Sequence, residues 1–167
     1  MNTNELLPFT IVEQNERKMI GFKLEGPYTR MNEIGMLWET FNQRVSEIDH
    51  LVQDDLSFGI VQDRERDFTY YAAVEVSSFT KVPEGMATII LPACRYAVFT
   101  HKGPQNKFSE TVVAALISLK ESGYEKDSDN YWLEGYDDHR FSPELDHSEC
   151  DIYFPLKAKT DNFPTRV

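Results

Sequence analysis

The chain has 167 residues, 41% of them hydrophobic and 13% aromatic, enough for one packed domain or two small intimate halves. Its net charge is −11, from 28 acids against 17 bases, and an acidic surface of this kind repels phosphate and argues against direct nucleic-acid binding. No apolar run approaches the ~20 residues needed to cross a bilayer, no signal-peptide pattern opens the sequence, and two cysteines make no disulfide framework, so the expectation is a cytoplasmic protein with free thiols and no membrane association.

Phe9 to Glu13 reads as a short strand, and Ile20, Phe22 and Leu24 alternate with Met19, Gly21 and Lys23 in a second, ended by Gly26-Pro27. A helical pattern runs from about 31 to 50, with Ile34, Leu37, Trp38, Phe41, Val45 and Ile48 on one face. Strands follow at 57–62 and 68–76, separated by the charged turn 63–67. Residues 81–85, with Pro83, read as a linker. The same order then returns: strands at 88–91 and 95–102, Gly103-Pro104, a helix over about 106–122 with Gly123 as its stop, and closing strands at 131–136 and 150–157. Residues 137–148 form a polar, loop-like insert.

The element order β-β-α-β-β occurs twice, with Gly26-Pro27 echoed by Gly103-Pro104. One helix per half cannot cover two sheet faces. The expectation is a single α+β domain over 1–167, with pseudo-repeats at about 9–78 and 86–158, antiparallel sheets, two long helices on one side and a central groove between the halves.

Within YWLEGYDDHRF, strand alternation puts Trp132, Glu134 and Tyr136 on one face. A carboxylate flanked by rings is either a solvated edge or the wall of a pocket for something flat and cationic. Trp38 belongs to a helix stripe, whose default is core packing. Tyr71 shares a face with Ala73 and Glu75; Glu75 is expected in solvent. His101 reads as a satisfied histidine at a strand end and Cys94 as a buried free thiol. His139 and His147, beside Asp137, Asp138 and Asp146, fit no standard metal-ligand spacing and read as a solvated loop. No CxxC, HExxH, GxSxG, P-loop or GxGxxG occurs, so no metal or cofactor is expected.

MIGFKLEGPYTRMNEIGMLWETF, FTYYAAVEV, LPACRYAVFTHKGP, YWLEGYDDHRF and CDIYFPLK resemble, in this order, the GyrI-like effector-binding domains, over roughly residues 9–157. The resemblance implies a duplicated βαββ fold with a central pocket. Domains of this family form the ligand-binding parts of some AraC-type and MerR-type transcription regulators, where they bind lipophilic, often cationic compounds. Free-standing members include a DNA-gyrase inhibitor, and others are hydrolases of strained cyclopropane compounds.

By the same resemblance, Glu134 matches the pocket acid of the family's FExYD motif, and Trp38 and Tyr71 match aromatic positions. Tyr28, Phe99, Trp132 and Tyr136 complete the expected ligand-binding set. The family's PAG has Cys94 in place of glycine, and its second GPY reads Gly103-Pro104-Gln105. The resulting expectation is a stand-alone binder of a lipophilic or cationic small molecule, linked to drug response or transcription regulation. Two alternatives keep their place: a hydrolase using Glu134 as general base, and a protein-binding inhibitor docking through its acids. A protein partner, and a monomer or homodimer, are all compatible with the sequence.

Overall fold

The structure is a computed structural model and describes residues 5–158. Its strands are β1 (Thr10–Gln14), β2 (Arg17–Pro27), β3 (Leu56–Asp63), β4 (Asp67–Val76), β5 (Ala87–Leu91), β6 (Cys94–Lys102), β7 (Trp132–Asp137) and β8 (Glu149–Pro155); its helices are α1 (Ile34–Arg44) and α2 (Phe108–Glu121). All strands join one antiparallel sheet in the order β1-β6-β8-β7-β3-β4-β2-β5.

That order refines the two-half reading. The halves meet edge to edge through β3 and β7, so their sheets are continuous. Each half also gives its first strand to the other: β1 pairs with β6, and β5 pairs with β2. The exchange covers both outer edges that an isolated half would leave open.

The sheet curls. Arg17 on β2 lies over the ring of Tyr96 on β6, although four strands intervene in the sheet order. The inside of the curl is filled by Met19, Phe58, Ile60, Tyr71, Tyr96 and Leu133. The other face carries both helices. Phe41 of α1 packs with Ile20, Val74 and their neighbours, and Ala115 and Leu119 of α2 pack with Phe99, Ile152 and Phe154.

The helices are shorter than their apolar patterns. Pro27 leads into a 3-10 turn over Tyr28–Glu33 before α1 begins. After Arg44 the chain tightens into a second 3-10 turn, Val45–Glu47. Val45 and Ile48 still pack under α1, so the apolar spacing outlasts the helix itself. α2 ends as its sequence predicts. Gly123 takes φ +86, its N–H bonds the carbonyl of Lys120, and the Tyr124 N–H reaches back to Leu119. Glycine alone enters that left-handed conformation without a Cβ penalty.

Candidate functional site

Antiparallel register brings the site together. Glu134 on β7 stands directly opposite Gly59 on β3, and Gly59 stands opposite Ala72 on β4. Facing residues in a sheet point to the same side, so Glu134 emerges on the helix-covered face with almost nothing beneath it. A Cβ on Gly59 would land on the Glu134 carboxylate and the Tyr70 hydroxyl. The missing side chain is what lets those two groups meet.

A chain of hydrogen bonds converges on one carboxylate oxygen. Tyr70 donates to Glu134 Oε1 at 2.6 Å and Tyr136 donates to the same atom at 2.9 Å. Trp38 Nε1, reaching down from α1, donates to the Tyr70 hydroxyl at 2.9 Å. Gln105 donates to the Tyr136 hydroxyl at 3.3 Å. Oε2 accepts no hydrogen bond among the described residues, yet it is not one of the fully buried unpartnered atoms. It therefore faces the cavity.

That cavity measures about 550 Å³ and is lined by Trp38, Tyr70, Gln105, Glu134, Tyr136 and Phe141, among others. The Tyr136 ring stands edge-on to Trp38 at 5.5 Å and meets Phe141 at 4.7 Å. Phe141 and Pro143 come from the polar insert, which is held as a wall. Arg140 binds Asp151 with two donors at 2.8 and 2.9 Å and also reaches Glu149. The Gln105 N–H bonds the Pro143 carbonyl at 2.7 Å.

Burial holds the Glu134 carboxyl above the ordinary carboxylate range, against the pull of the Tyr70 and Tyr136 hydroxyls; Asp63 adds to the rise. Burial and the neighbouring carboxylate push the phenols of Tyr70 and Tyr136 well above their usual value. Both phenols stay protonated, so both remain donors. When ionised, Glu134 sets a partly desolvated negative charge inside an aromatic frame, suited to a cation with apolar substituents.

Among the predicted residues, Trp38, Glu134 and Tyr136 are brought together. Trp132 shares their face, but its ring packs on Phe154 and its Nε1 donates to Asp63 at 2.9 Å. Tyr28 stacks on Phe68 and donates to the Arg64 carbonyl. Phe99 is fully buried against Phe9. Tyr71 lies inside the curl of the sheet, beside Tyr131 and under Lys23. Its neighbour Tyr70 points to the cavity because alternation along β4 sends even-numbered residues toward the helices.

Sequence reasoning missed Tyr70, Gln105 and Phe141. Tyr70 carried a signal: it aligns with Leu24 across β2, on the same alternating face as Ile20 and Phe22. In the sequence Gln105 stands out only as a departure from the GPY motif. Phe141 could not be placed without the fold of its loop.

Other expectations resolve simply. The His101 ring bonds Thr111 at 2.6 Å and the Pro104 carbonyl at 3.0 Å. Both cysteines are free; Cys150 is buried, whereas Cys94 is half-buried. Glu75 is half-buried rather than solvated. His139 does not gather with Asp146 and His147; it lies 3.0 Å from Asp55, with Asp137 in the same small group.

The profile of the GyrI-like small molecule binding domain matches residues 7–157. The transcriptional regulator BrlR of Pseudomonas aeruginosa is 36% identical over 149 residues, covering 87% of this chain and 54% of that protein. The chain thus spans about half the length of this curated relative. Among solved structures, SAV2435 bound to tetraphenylphosphonium superposes with a TM-score of 0.73 at 14% identity, covering 91% of this chain and 95% of that one. The C-terminal domain of EcmrR superposes with a TM-score of 0.73 at 17% identity, covering 93% and 100%.

Proposed function

This chain belongs to the GyrI-like small-molecule-binding family, and from that premise we propose that it captures a lipophilic organic cation in the cavity beside Glu134. The observation that carries the reading is the half-used carboxylate. Oε1 is occupied by two phenol donors, while Oε2 is left toward a drug-sized aromatic space. An acid so placed has lost much of its hydration. A cation with apolar groups restores a counter-charge while covering the rings of Trp38, Tyr136 and Phe141.

The hydrogen-bond chain gives the charge its position. Trp38 orients the Tyr70 hydroxyl, Gln105 orients that of Tyr136, and together they keep the carboxylate from rotating away. Little is left to order when the ligand arrives, which favours affinity. The tetraphenylphosphonium held by SAV2435 has the chemistry this cavity suits, and the likeness to BrlR supports an effector-sensing role. Occupation of the cavity would be read through α1 and the Arg140-anchored insert, the two elements that wall it.

The test is titration with tetraphenylphosphonium, followed by tryptophan fluorescence and thermal shift. Saturable quenching with stabilisation is expected, because Trp38 lines the cavity. No response to this or any other aromatic cation would overturn the proposal.

A further inference from the structure

The outer face of α2 carries a feature that ligand binding does not use. Val113 and Ile117 are 58% and 54% exposed, with Leu116 beside them at 38%. Glu110 and Lys120 flank this apolar patch, both exposed, and neither has a hydrogen-bond or ion-pair partner among the described residues. The order Glu110, Val113, Ile117, Lys120 follows the three-four-three spacing of a helix–helix seam.

The stripe is complementary to itself. Val113 and Ile117 lie symmetrically about Ala115, and so do Glu110 and Lys120. Placing a second α2 antiparallel on the first sets each Glu110 against the other copy's Lys120, and each Val113 against the other copy's Ile117. Ala115 itself faces the sheet, but a two-fold axis through the outer face at its level satisfies all four contacts at once, as an isologous interface requires. We propose that this face of α2 is a homodimer interface, and that its partner is a second copy of this chain.

A free charge at each end of an apolar stripe, of opposite sign and equal distance from its centre, selects an antiparallel copy over a parallel one. The seam is short. A helix of 14 residues extends about 21 Å, which places the interface at the small end of specific contacts. An interface of this size suits a reversible association. None of Glu110, Val113, Ile117 and Lys120 lines the cavity beside Glu134. Dimerisation leaves that cavity open and stands independently of what occupies it.

Sedimentation equilibrium of the full chain, at ~0.15 M salt and from micromolar to about millimolar protein, tests this. Wild type is expected to show a monomer–dimer equilibrium, and Ile117→Glu to remain monomeric throughout. Glu110→Lys and Lys120→Glu should each weaken the dimer about tenfold or more, because both ion pairs become repulsions. An equimolar mixture of those two variants should restore association, since Lys then faces Glu at both ends of the heterodimer. Thermal unfolding checks that each variant is folded, and Val113→Ser replaces Ile117→Glu should the latter unfold. The proposal is overturned by a wild type that stays monomeric at millimolar concentration, by a dimer indifferent to the apolar substitution, or by a mixture no tighter than its components.

Discussion

Glu134→Gln separates charge from shape in the cavity. Glutamine has the size of glutamate, and its amide oxygen can accept from Tyr70 and Tyr136 as Oε1 does, while its amide nitrogen turns toward the cavity. The hydrogen-bond chain survives and only the charge is lost. A ligand cation about 4–5 Å from the carboxylate, at an effective dielectric of ~20, gains about 3–4 kcal/mol. Part of that gain offsets desolvation of the two charges, leaving about 2 kcal/mol. The dissociation constant for tetraphenylphosphonium should therefore rise about 30-fold in the variant. An uncharged tetra-aryl compound of similar shape should bind the two proteins within about threefold of each other. Isothermal titration calorimetry with both compounds makes the comparison. Equal losses for the charged and uncharged probes would mean that the substitution had damaged the cavity's shape. No loss for either would remove Glu134 from recognition.

The pH dependence has a defined sign. Glu134 titrates above the ordinary carboxylate range, so affinity for a permanent cation should fall as pH drops through that raised value, before an exposed acid would protonate; the Gln variant should lack this phase. In the absence of ligand the linkage runs the other way: between the unfolded and the raised folded pKa the native state holds the extra proton, so thermal stability should rise as pH falls through this window, again only in wild type. Gly59→Ala drives a methyl into the carboxylate and the Tyr70 hydroxyl; it should cost about 1–3 kcal/mol in denaturant unfolding and abolish cation binding, whereas retained binding would show the central strands yielding more than their register allows. Arg17 is buried over the rings of Phe58 and Tyr96, yet its Nε and Nη2 have no hydrogen-bond partner among the described residues. Two unmet donors, at about 1–3 kcal/mol each, outweigh or match two ring contacts at about 0.5–2, so Arg17→Met should leave stability within about 1 kcal/mol of wild type or raise it, and a loss above ~2 would mean that Arg17 has a partner.

The sequence made the element order, the doubling and the central acid legible because each rests on local pattern. Alternation put Glu134 between Trp132 and Tyr136 on one face, and the repeated Gly-Pro pairs marked where each strand gives way to a helix. Two kinds of information were out of reach. Pairing between distant strands is not local, so the exchange of β1 and β5 between the halves left no mark on the residues themselves. The choice between adjacent tyrosines needed register: Tyr70 and Tyr71 look alike in the sequence, and one residue of alternation sends the first to Glu134 and the second to the far side of the sheet. Trp132 shows the same limit in reverse. It lies on the correct face, but Asp63 on the neighbouring strand takes its N–H and turns it from the cavity.

A duplicated fold offers two equivalent places for a site, and this chain has kept one. Leu24 pairs with Tyr70 in the first half as His101 pairs with Cys150 in the second, so Cys150 is the structural counterpart of the cavity tyrosine. A thiol has no reach comparable to a phenol. In that half His101 closes on Thr111 and the Pro104 carbonyl, so both its ring nitrogens have partners. Tyr28 and Gln105, each following a Gly-Pro pair, diverge in the same way. The tyrosine stacks outward on Phe68, and the glutamine turns inward to Tyr136. The asymmetry is sharpest where the halves touch. Glu134 and Gly59 face each other across the central pair of strands, at a separation that leaves no room for two long side chains. A carboxylate in both places would set two buried like charges against each other. Glycine on one strand is the condition for an acid on the other, so the junction of the halves yields a single charged cavity that draws Trp38 and Tyr70 from the first and Gln105, Glu134 and Tyr136 from the second.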